Sequence, residues 1–143
     1  MSLVEATGEL RSSRPDAWAL VSEPFHLPDW WPGYTGVKPD RRGVAENARW
    51  GVVRSKAPGF LRRPEGEGVI VITRVVEGYE LRWHDVKQGL DAGVLLDNAG
   101  TGRTRATTFV SGSWLRLVAE GARGLPDRAL ERLEALCQTA AAL

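Results

Sequence analysis

The chain has 143 residues, of which 43% are hydrophobic and 26% are charged, and its formal net charge is +1. These values are typical of a globular protein and exclude a disordered chain, and the length is enough for one domain with its own core. A charge this close to balance provides no general attraction for nucleic acid, so no nucleic-acid partner is expected. We therefore expect a single domain over residues 1–143.

The chain contains too few cysteines and histidines to form a disulfide or a typical metal site. Cys137 is the one cysteine, so no disulfide can form within the chain, and His26 and His84 are the two histidines. No cluster of these residues resembles a metal site, and no metal or other cofactor is predicted. The chain has neither a run of 18 apolar residues nor a signal-peptide pattern. We expect a cytoplasmic protein without integral membrane association, either a monomer or a homodimer.

The first third of the sequence predicts a strand followed by short helices. Apolar and polar residues alternate over residues 4–12, which is the pattern of a half-buried strand. Ser13 and Asp16 then form an S-x-x-D helix start, which predicts a helix over residues 14–22. Residues 24–34 are aromatic and contain three prolines, so only one or two helical turns fit there.

The middle of the sequence reads as a series of antiparallel strands. Turn residues rich in glycine, asparagine and aspartate separate short β-branched or alternating runs. The predicted strands cover residues 36–38, 44–54, 68–76, 79–86, 90–97 and 103–110.

The C-terminal part predicts two helical segments. Residues 114–123 have helical spacing with Leu115, Val118, Ala119 and Ala122 facing inward, and Gly124-Leu125-Pro126 predicts a break or kink. Residues 126–143 follow as the longest helix, which we expect to close the dry face of the sheet. Its predicted apolar face consists of Ala129, Leu130, Leu133, Leu136, Cys137, Ala140 and Ala141.

Several stretches resemble one superfamily. Residues 15–22, 27–32 (Leu-Pro-Asp-Trp-Trp-Pro), 102–107 and 130–136 are similar to parts of the START/Bet v 1-like (SRPBCC) superfamily, in particular its polyketide cyclase/dehydrase-like branch. The resemblance implies an α+β helix-grip fold. In that fold a curved antiparallel sheet of about seven strands wraps around a long C-terminal helix, with two short helices between strands one and two. It also implies a cavity between the sheet and that helix.

Strand alternation, taken together with the implied cavity, predicts which residues face it. Six tryptophans are many for a domain of this size, and flat aromatic walls with few polar groups are typical of a site for an apolar small molecule. No catalytic residue is assigned. The predicted ligand-binding residues are Trp31, Trp50, Val71, Thr73, Tyr79, Leu81, Trp83, Asp85, Val94, Leu96, Thr108 and Trp114.

Asp85 is the most informative polar residue of this set. Two interpretations are open: a buried carboxylate that acts as a general acid or base or anchors a ligand hydroxyl, or a solvated residue at the strand end, which we favour. His26 either reaches the pocket mouth or, as we favour, caps a loop carbonyl. His84 is expected on the outer face.

Three functions are compatible with these patterns. The first is the binding of a lipid-like or aromatic, polyketide-like small molecule in an internal cavity. The second is a cyclase/dehydrase-like enzyme that uses the same cavity, with Asp85, Tyr79 or His26 transferring protons. The third is an interaction or assembly module. The loop over residues 55–66 or a sheet edge offers it a surface. The basic residues Arg54, Lys56, Arg62 and Arg63 around Phe60-Leu61 are also compatible with an acidic head group or a membrane surface, although we favour a solvated loop.

Overall fold

A computed structural model describes residues 1–54 and 66–141 of the chain. The basic loop expected over residues 55–66 lies, apart from Gly66, outside the described residues. The described strands are Ser2–Leu10 (β1), Tyr34–Lys38 (β2), Arg49–Arg54 (β3), Gly66–Val76 (β4), Glu80–Asp85 (β5), Leu90–Gly100 (β6) and Arg103–Gly112 (β7). The described α-helices are Arg14–Ser22 (α1), Leu27–Trp30 (α2), Trp114–Ala119 (α3) and Leu125–Ala141 (α4), with 3₁₀ turns at Pro24–His26 and Ala122–Gly124.

The strands form one curled antiparallel sheet in the order β1-β7-β6-β5-β4-β3-β2. Helix α4 packs chiefly on β1 and β7, and the short helices α1 and α2 lie between the first two strands of the chain. The α+β helix-grip architecture predicted from the sequence is therefore confirmed. Because β1 and β2 occupy opposite edges of the sheet, the segment between them must run from one edge to the other.

Helix α4 starts where the sequence indicated a break. Pro126 is the second residue of the helix, a position where its missing N–H costs nothing, so the break lies before α4 and not within it. The hydroxyl of Thr108 on β7 donates to the Pro126 carbonyl at 2.7 Å and ties the helix start to the sheet. Ala129, Leu130, Leu133 and Cys137 are buried as predicted, whereas Ala140 is exposed beside a groove open to solvent.

The inward face predicted for residues 114–123 is wrong for Leu115, Val118 and Ala119, which are exposed, whereas Ala122 is buried as predicted. Helix α3 ends at Ala119, and Gly121 then adopts a left-handed conformation with φ of 63° that redirects the chain. The helix buries Leu117, so the opposite side that carries Leu115 and Val118 faces solvent, with Leu115 79% exposed.

A β-bulge in β4 makes part of the predicted side-chain alternation of this strand wrong. The pairing of β4 with β5 shifts between Ile72 and Arg74, so the side-chain alternation of β4 changes phase there. Ile70 and Ile72 are fully buried, and Val75 packs against the core beyond the bulge. Val71 and Thr73, which the sequence placed inward, therefore lie on the outer face.

The connection from β2 to β3 is longer than predicted. The expected second arm over residues 44–54 starts as a strand only at Arg49. The Asp40 carboxylate accepts hydrogen bonds from the backbone N–H groups of Arg42, at 3.0 Å, and Arg49, at 2.8 Å, and these bonds hold the intervening residues in a loop.

Gly93 on β6 should not tolerate a side chain. A Cβ there would collide with the carbonyl oxygen of Leu81 and lie 2.9 Å from Cε1 of Phe109. We expect Gly93→Ala to lower the free energy of unfolding by about 1–3 kcal/mol, the usual cost of overpacking. Urea denaturation measures the loss.

Gly51 is the matched control, because it also lies within a strand and a Cβ added there would meet nothing closer than Lys38 at 3.8 Å. Gly51→Ala should be nearly neutral. Equal losses in the two variants would contradict the steric explanation for Gly93.

Candidate functional site

The segment that crosses the sheet places two tryptophans in the interior. Ser13 caps α1 by accepting from the Asp16 N–H, and Pro24 and Pro28 limit the following helices to short pieces. Helix α2 packs against β2, and Trp30 and the following Trp31 are buried. The inner side of this half of the sheet therefore carries large aromatic side chains from α2.

Trp30 and Trp31 meet Trp83 of β5 in an edge-to-face cluster. Its ring centroids are 6.0 Å apart for Trp30 and Trp31, 5.8 Å for Trp30 and Trp83, and 5.1 Å for Trp31 and Trp83. The interplanar angles of 74–87° are those that aromatic quadrupoles favour. We call Trp30, Trp31 and Trp83 the tryptophan cluster.

A buried polar network adjoins the tryptophan cluster. The Asp85 carboxylate accepts from the Tyr34 hydroxyl at 2.9 Å, from the Gln88 backbone N–H at 3.0 Å and from the Arg54 guanidinium. Trp83 Nε1 donates to the Tyr34 oxygen at 3.2 Å and joins the network to the cluster. The side chains of Arg54 and Asp85 are only 12% and 3% exposed. A charge pair so far out of water is costly unless its hydrogen bonds are satisfied.

Glycine on β4 makes room for the Arg54 side chain. Gly68 pairs with Val52 of β3, and Ile70 pairs with Asp85 of β5. A Cβ at position 68 would lie 3.2 Å from Nη2 of Arg54. Because position 68 has no side chain, the guanidinium from β3 can pass over β4 and reach the carboxylate on β5.

Burial also sets the protonation state of Tyr34. Its pKa is well above the usual value, first because burial disfavours the phenolate, and then because Asp85 is negative and accepts the phenol's hydrogen bond. The hydrogen bond from Trp83 has the opposite, smaller effect. Tyr34 therefore keeps its proton at neutral pH and donates it in a hydrogen bond to Asp85.

Most of the predicted site residues face the interior. Asp85 is among them, so the solvated strand-end interpretation that we favoured is wrong. Contact of these side chains with a ligand stays a prediction. The buried members of the set are Trp31, Trp50, Leu81, Trp83, Asp85, Val94, Leu96 and Thr108.

The other four predicted site residues do not face the interior. Val71 and Thr73 are displaced to the outer face by the bulge in β4. Tyr79 is 42% exposed because it belongs to the turn before β5, where the Arg14 guanidinium lies over its ring at 3.9 Å. Trp114 is 52% exposed on α3, with Arg123 over its ring at 5.0 Å.

Two buried side chains already use their polar atoms within the fold. Trp50 Nε1 donates to the Gly43 carbonyl at 2.8 Å, and the Thr108 hydroxyl donates to Pro126. Their donors are therefore committed, and what they can offer a ligand is mainly apolar surface.

The histidines lie apart from the network. Residue His84 is on the outer face as predicted, with Nδ1 3.0 Å from an Asp91 carboxylate oxygen. His26 is half-buried, and within the described residues its Nδ1 has no hydrogen-bond partner, so this nitrogen does not cap a loop carbonyl there.

The sequence prediction missed Tyr34 and Trp30, and it wrongly grouped Arg54 with the basic loop, whereas the Arg54 side chain is only 12% exposed and pairs with Asp85. One usable signal was present for Arg54, since the alternation that places Trp50 and Val52 inward also places Arg54 inward. A charged residue at a strand end is more often solvated, which hides that signal. Tyr34 and Trp30 fall in the proline-rich segment, where no periodicity fixes which side chains point inward.

Surface grooves elsewhere are less suited to a specific site. One is lined by residues of β2, β3 and β4, including Gly36, Gly51 and Val53, and another lies between the start of α1 and the end of α4. Their charged lining residues are all exposed. Among residues 1–54 and 66–141, no group of three His, Cys, Asp or Glu side chains is arranged to hold a metal ion. No helix in this part of the chain is long and apolar enough to cross a membrane.

Comparison with known proteins supports the fold alone. No protein-family profile and no curated protein matches the sequence. Among solved structures, protein NE0264 from Nitrosomonas europaea is similar with a TM-score of 0.74 and 16% identity, covering 99% of this chain and 97% of the other. XoxI from Bacillus cereus has a TM-score of 0.73 and 11% identity over 96% of each chain. Ms6760 from Mycobacterium smegmatis has a TM-score of 0.72 and 16% identity, covering 96% of this chain and 92% of the other.

Removing one charge of the buried Arg54–Asp85 pair should destabilise the protein more than removing both charges together. Arg54→Met leaves the carboxylate buried without its counter-charge, so we expect a loss of roughly 3–5 kcal/mol in the free energy of unfolding. The double variant Arg54→Met/Asp85→Leu removes both charges and should lose less than the sum of the two single variants. Urea denaturation of the three variants measures the coupling.

The exposed pair formed by Arg103 and Glu9 is the control, with side chains 64% and 50% exposed. Arg103→Met should cost less than about 1 kcal/mol. Additive losses at Arg54 and Asp85 would show that the two charges do not act as a pair.

Tyr34 should make the protein sensitive to alkaline pH. The folded state keeps the phenol proton at pH values where the unfolded chain, with a tyrosine pKa of about 10, loses it. The stability due to this difference is fully present below about pH 10 and is lost as the pH rises toward the folded pKa. Urea denaturation between neutral pH and about pH 11 should therefore show a steeper decline in the natural protein than in Tyr34→Phe.

The chain has two tyrosines, so Tyr79→Phe is a matched control that should keep the steep decline. In that variant, absorbance of the phenolate should appear only as the protein unfolds. Ordinary titration of the phenol in folded Tyr79→Phe would disprove the burial argument.

Proposed function

We propose that the protein binds an apolar small molecule, lipid-like or aromatic and polyketide-like, between the inner face of the sheet and helices α2 and α4. The observation that carries the proposal is the charged Arg54–Asp85 network buried beside the tryptophan cluster. Burying such a pair gives little net stability, and apolar side chains of similar volume would usually serve a core better. Convergent polar groups against aromatic walls are instead the usual composition of a small-molecule site.

The resemblance of the sequence to the START/Bet v 1-like superfamily supports the same proposal. That superfamily uses the space between the sheet and the C-terminal helix for hydrophobic ligands. Here a Cβ added at Gly33 would lie 3.1 Å from Nε1 of Trp31 and 3.8 Å from a methyl group of Leu125. Helices α2 and α4 are in contact with each other, so both border the same interior.

The geometry favours binding over the cyclase/dehydrase-like alternative. Asp85 accepts three hydrogen bonds, one of them from a guanidinium, so both of its carboxylate oxygens are already held by donors of the protein. Tyr34 has a raised pKa and is a poor acid. Tyr79 lies outside the interior, so two of the three side chains considered for proton transfer are unsuited to it.

A ligand screen tests the proposal. Native mass spectrometry with lipids and aromatic polyketides should find a one-to-one complex. A ligand at a hundredfold excess over its Kd stabilises the folded state by about 2.7 kcal/mol, which raises Tm by several degrees. Each rise in Tm is measured against the same variant without ligand.

Trp83→Leu and Trp114→Leu form the matched pair of variants, since one alters the interior wall and the other an exposed surface. Trp83→Leu should abolish or weaken binding, and Trp114→Leu should leave it unchanged. The proposal would be disproved if no compound in the screen binds, or if binding is lost in Trp114→Leu and kept in Trp83→Leu.

A further inference from the structure

The hydrogen bonds of the Asp85 network define what a ligand can contribute. The carboxylate already accepts from Tyr34, Arg54 and Gln88. The Tyr34 hydroxyl has one hydrogen, which it donates to Asp85, and its oxygen accepts from Trp83. Each acceptor oxygen of the network thus has at least one donor, and the N–H and O–H donors of Trp83 and Tyr34 are committed as well.

The buried polar atoms near this network that lack a hydrogen-bond partner in the described part of the chain are N–H donors. Arg54 has five N–H groups, and it engages Asp85 through Nη2. Within the described residues, the buried Nε of Arg54 has no hydrogen-bond partner. The same holds for Nε1 of Trp30, which belongs to the tryptophan cluster. A buried donor without a hydrogen-bond partner costs about 1–3 kcal/mol. A ligand with an acceptor atom supplies that missing hydrogen bond and therefore binds more favourably.

The opposite charges of Arg54 and Asp85 also indicate whether the ligand's acceptor group is charged or neutral. The charges of Arg54 and Asp85 cancel, and both side chains are largely excluded from water. A ligand carboxylate placed there would add a negative charge beside Asp85 with no free cation to match it among the residues of the network. An uncharged oxygen acceptor satisfies Arg54 without that penalty.

We propose, on the basis of the proposed binding function, that the ligand is an uncharged apolar molecule carrying a carbonyl-type oxygen, which accepts a hydrogen bond from the Arg54 guanidinium. Its apolar part lies against the tryptophan cluster. Hydrocarbons of the same shape bind more weakly, and so do the corresponding carboxylates.

Two matched sets of probes test the inference. The aromatic set is methyl naphthyl ketone, ethylnaphthalene and naphthoate, and the aliphatic set is methyl decyl ketone, dodecane and dodecanoate. Heteronuclear NMR titration of the full chain at neutral pH gives the Kd of each probe. In the set that fits the interior, we expect the ketone to bind about tenfold more tightly than the hydrocarbon, because it satisfies one buried donor. It should also bind more tightly than the carboxylate.

Arg54→Met should reduce the affinity for the ketone to that for the hydrocarbon measured in the same variant. If this variant does not fold, Arg54→Met/Asp85→Leu, which leaves no unpaired charge, serves the same purpose. Trp114→Leu is the control that should keep the preference for the ketone.

The outcomes separate the two proposals. Hydrocarbon binding that equals ketone binding, a carboxylate that binds most tightly, or a ketone preference that survives the loss of Arg54 overturns the inference and leaves the proposed function standing. Failure of all six probes to bind overturns the inference, while the broader screen of lipids and polyketides decides the proposed function by itself.

Discussion

The buried ion pair between Arg54 and Asp85 is the interaction on which the arrangement of the site depends. It joins β3 to β5 across β4, and the Tyr34 hydroxyl adds β2 to the same carboxylate. The absence of a side chain at position 68 leaves room for the guanidinium, and the Tyr34 hydroxyl donates to the same carboxylate. A change at any of these positions should therefore disturb the others, because they share one carboxylate.

The order of strands explains why aromatic side chains cover this network. Strands β1 and β2 are neighbours in the sequence but lie at opposite edges of the sheet. The connecting segment must cross the sheet, and its prolines keep it in short helices that present Trp30 and Trp31 beside Trp83. Helix α4 covers β1 and β7, so the two halves of the interior are closed by different elements.

Much of the fold was predictable because its signals are local. Alternation, turn residues and the Ser13 cap predicted seven strands, and they placed α1 at the residues it occupies. The burial of Asp85 was uncertain because solvation of a strand end depends on a partner, Arg54, that is distant in the sequence. Trp83 and Leu81 were placed correctly because burial in β5 alternates regularly from Leu81 to Asp85.

The errors have a common physical origin in single irregular residues. The bulge near Ile72 shifts the alternation of β4 by one residue, and no composition signal marks it. In α3, the face that packs is decided by Leu117 and by the redirection of the chain at Gly121, so helical spacing alone selected the wrong side. Tertiary contacts decided both cases.

The location of a bound ligand decides whether the interior beside the tryptophan cluster is a binding site. The six tryptophan indole N–H groups give separate signals in heteronuclear NMR spectra. When a saturating ligand is added, we expect the signals of Trp30 and Trp83 to move while that of Trp114 does not. Movement of the Trp114 signal with Trp30 and Trp83 unchanged would contradict an interior site and place binding on the exposed face of α3.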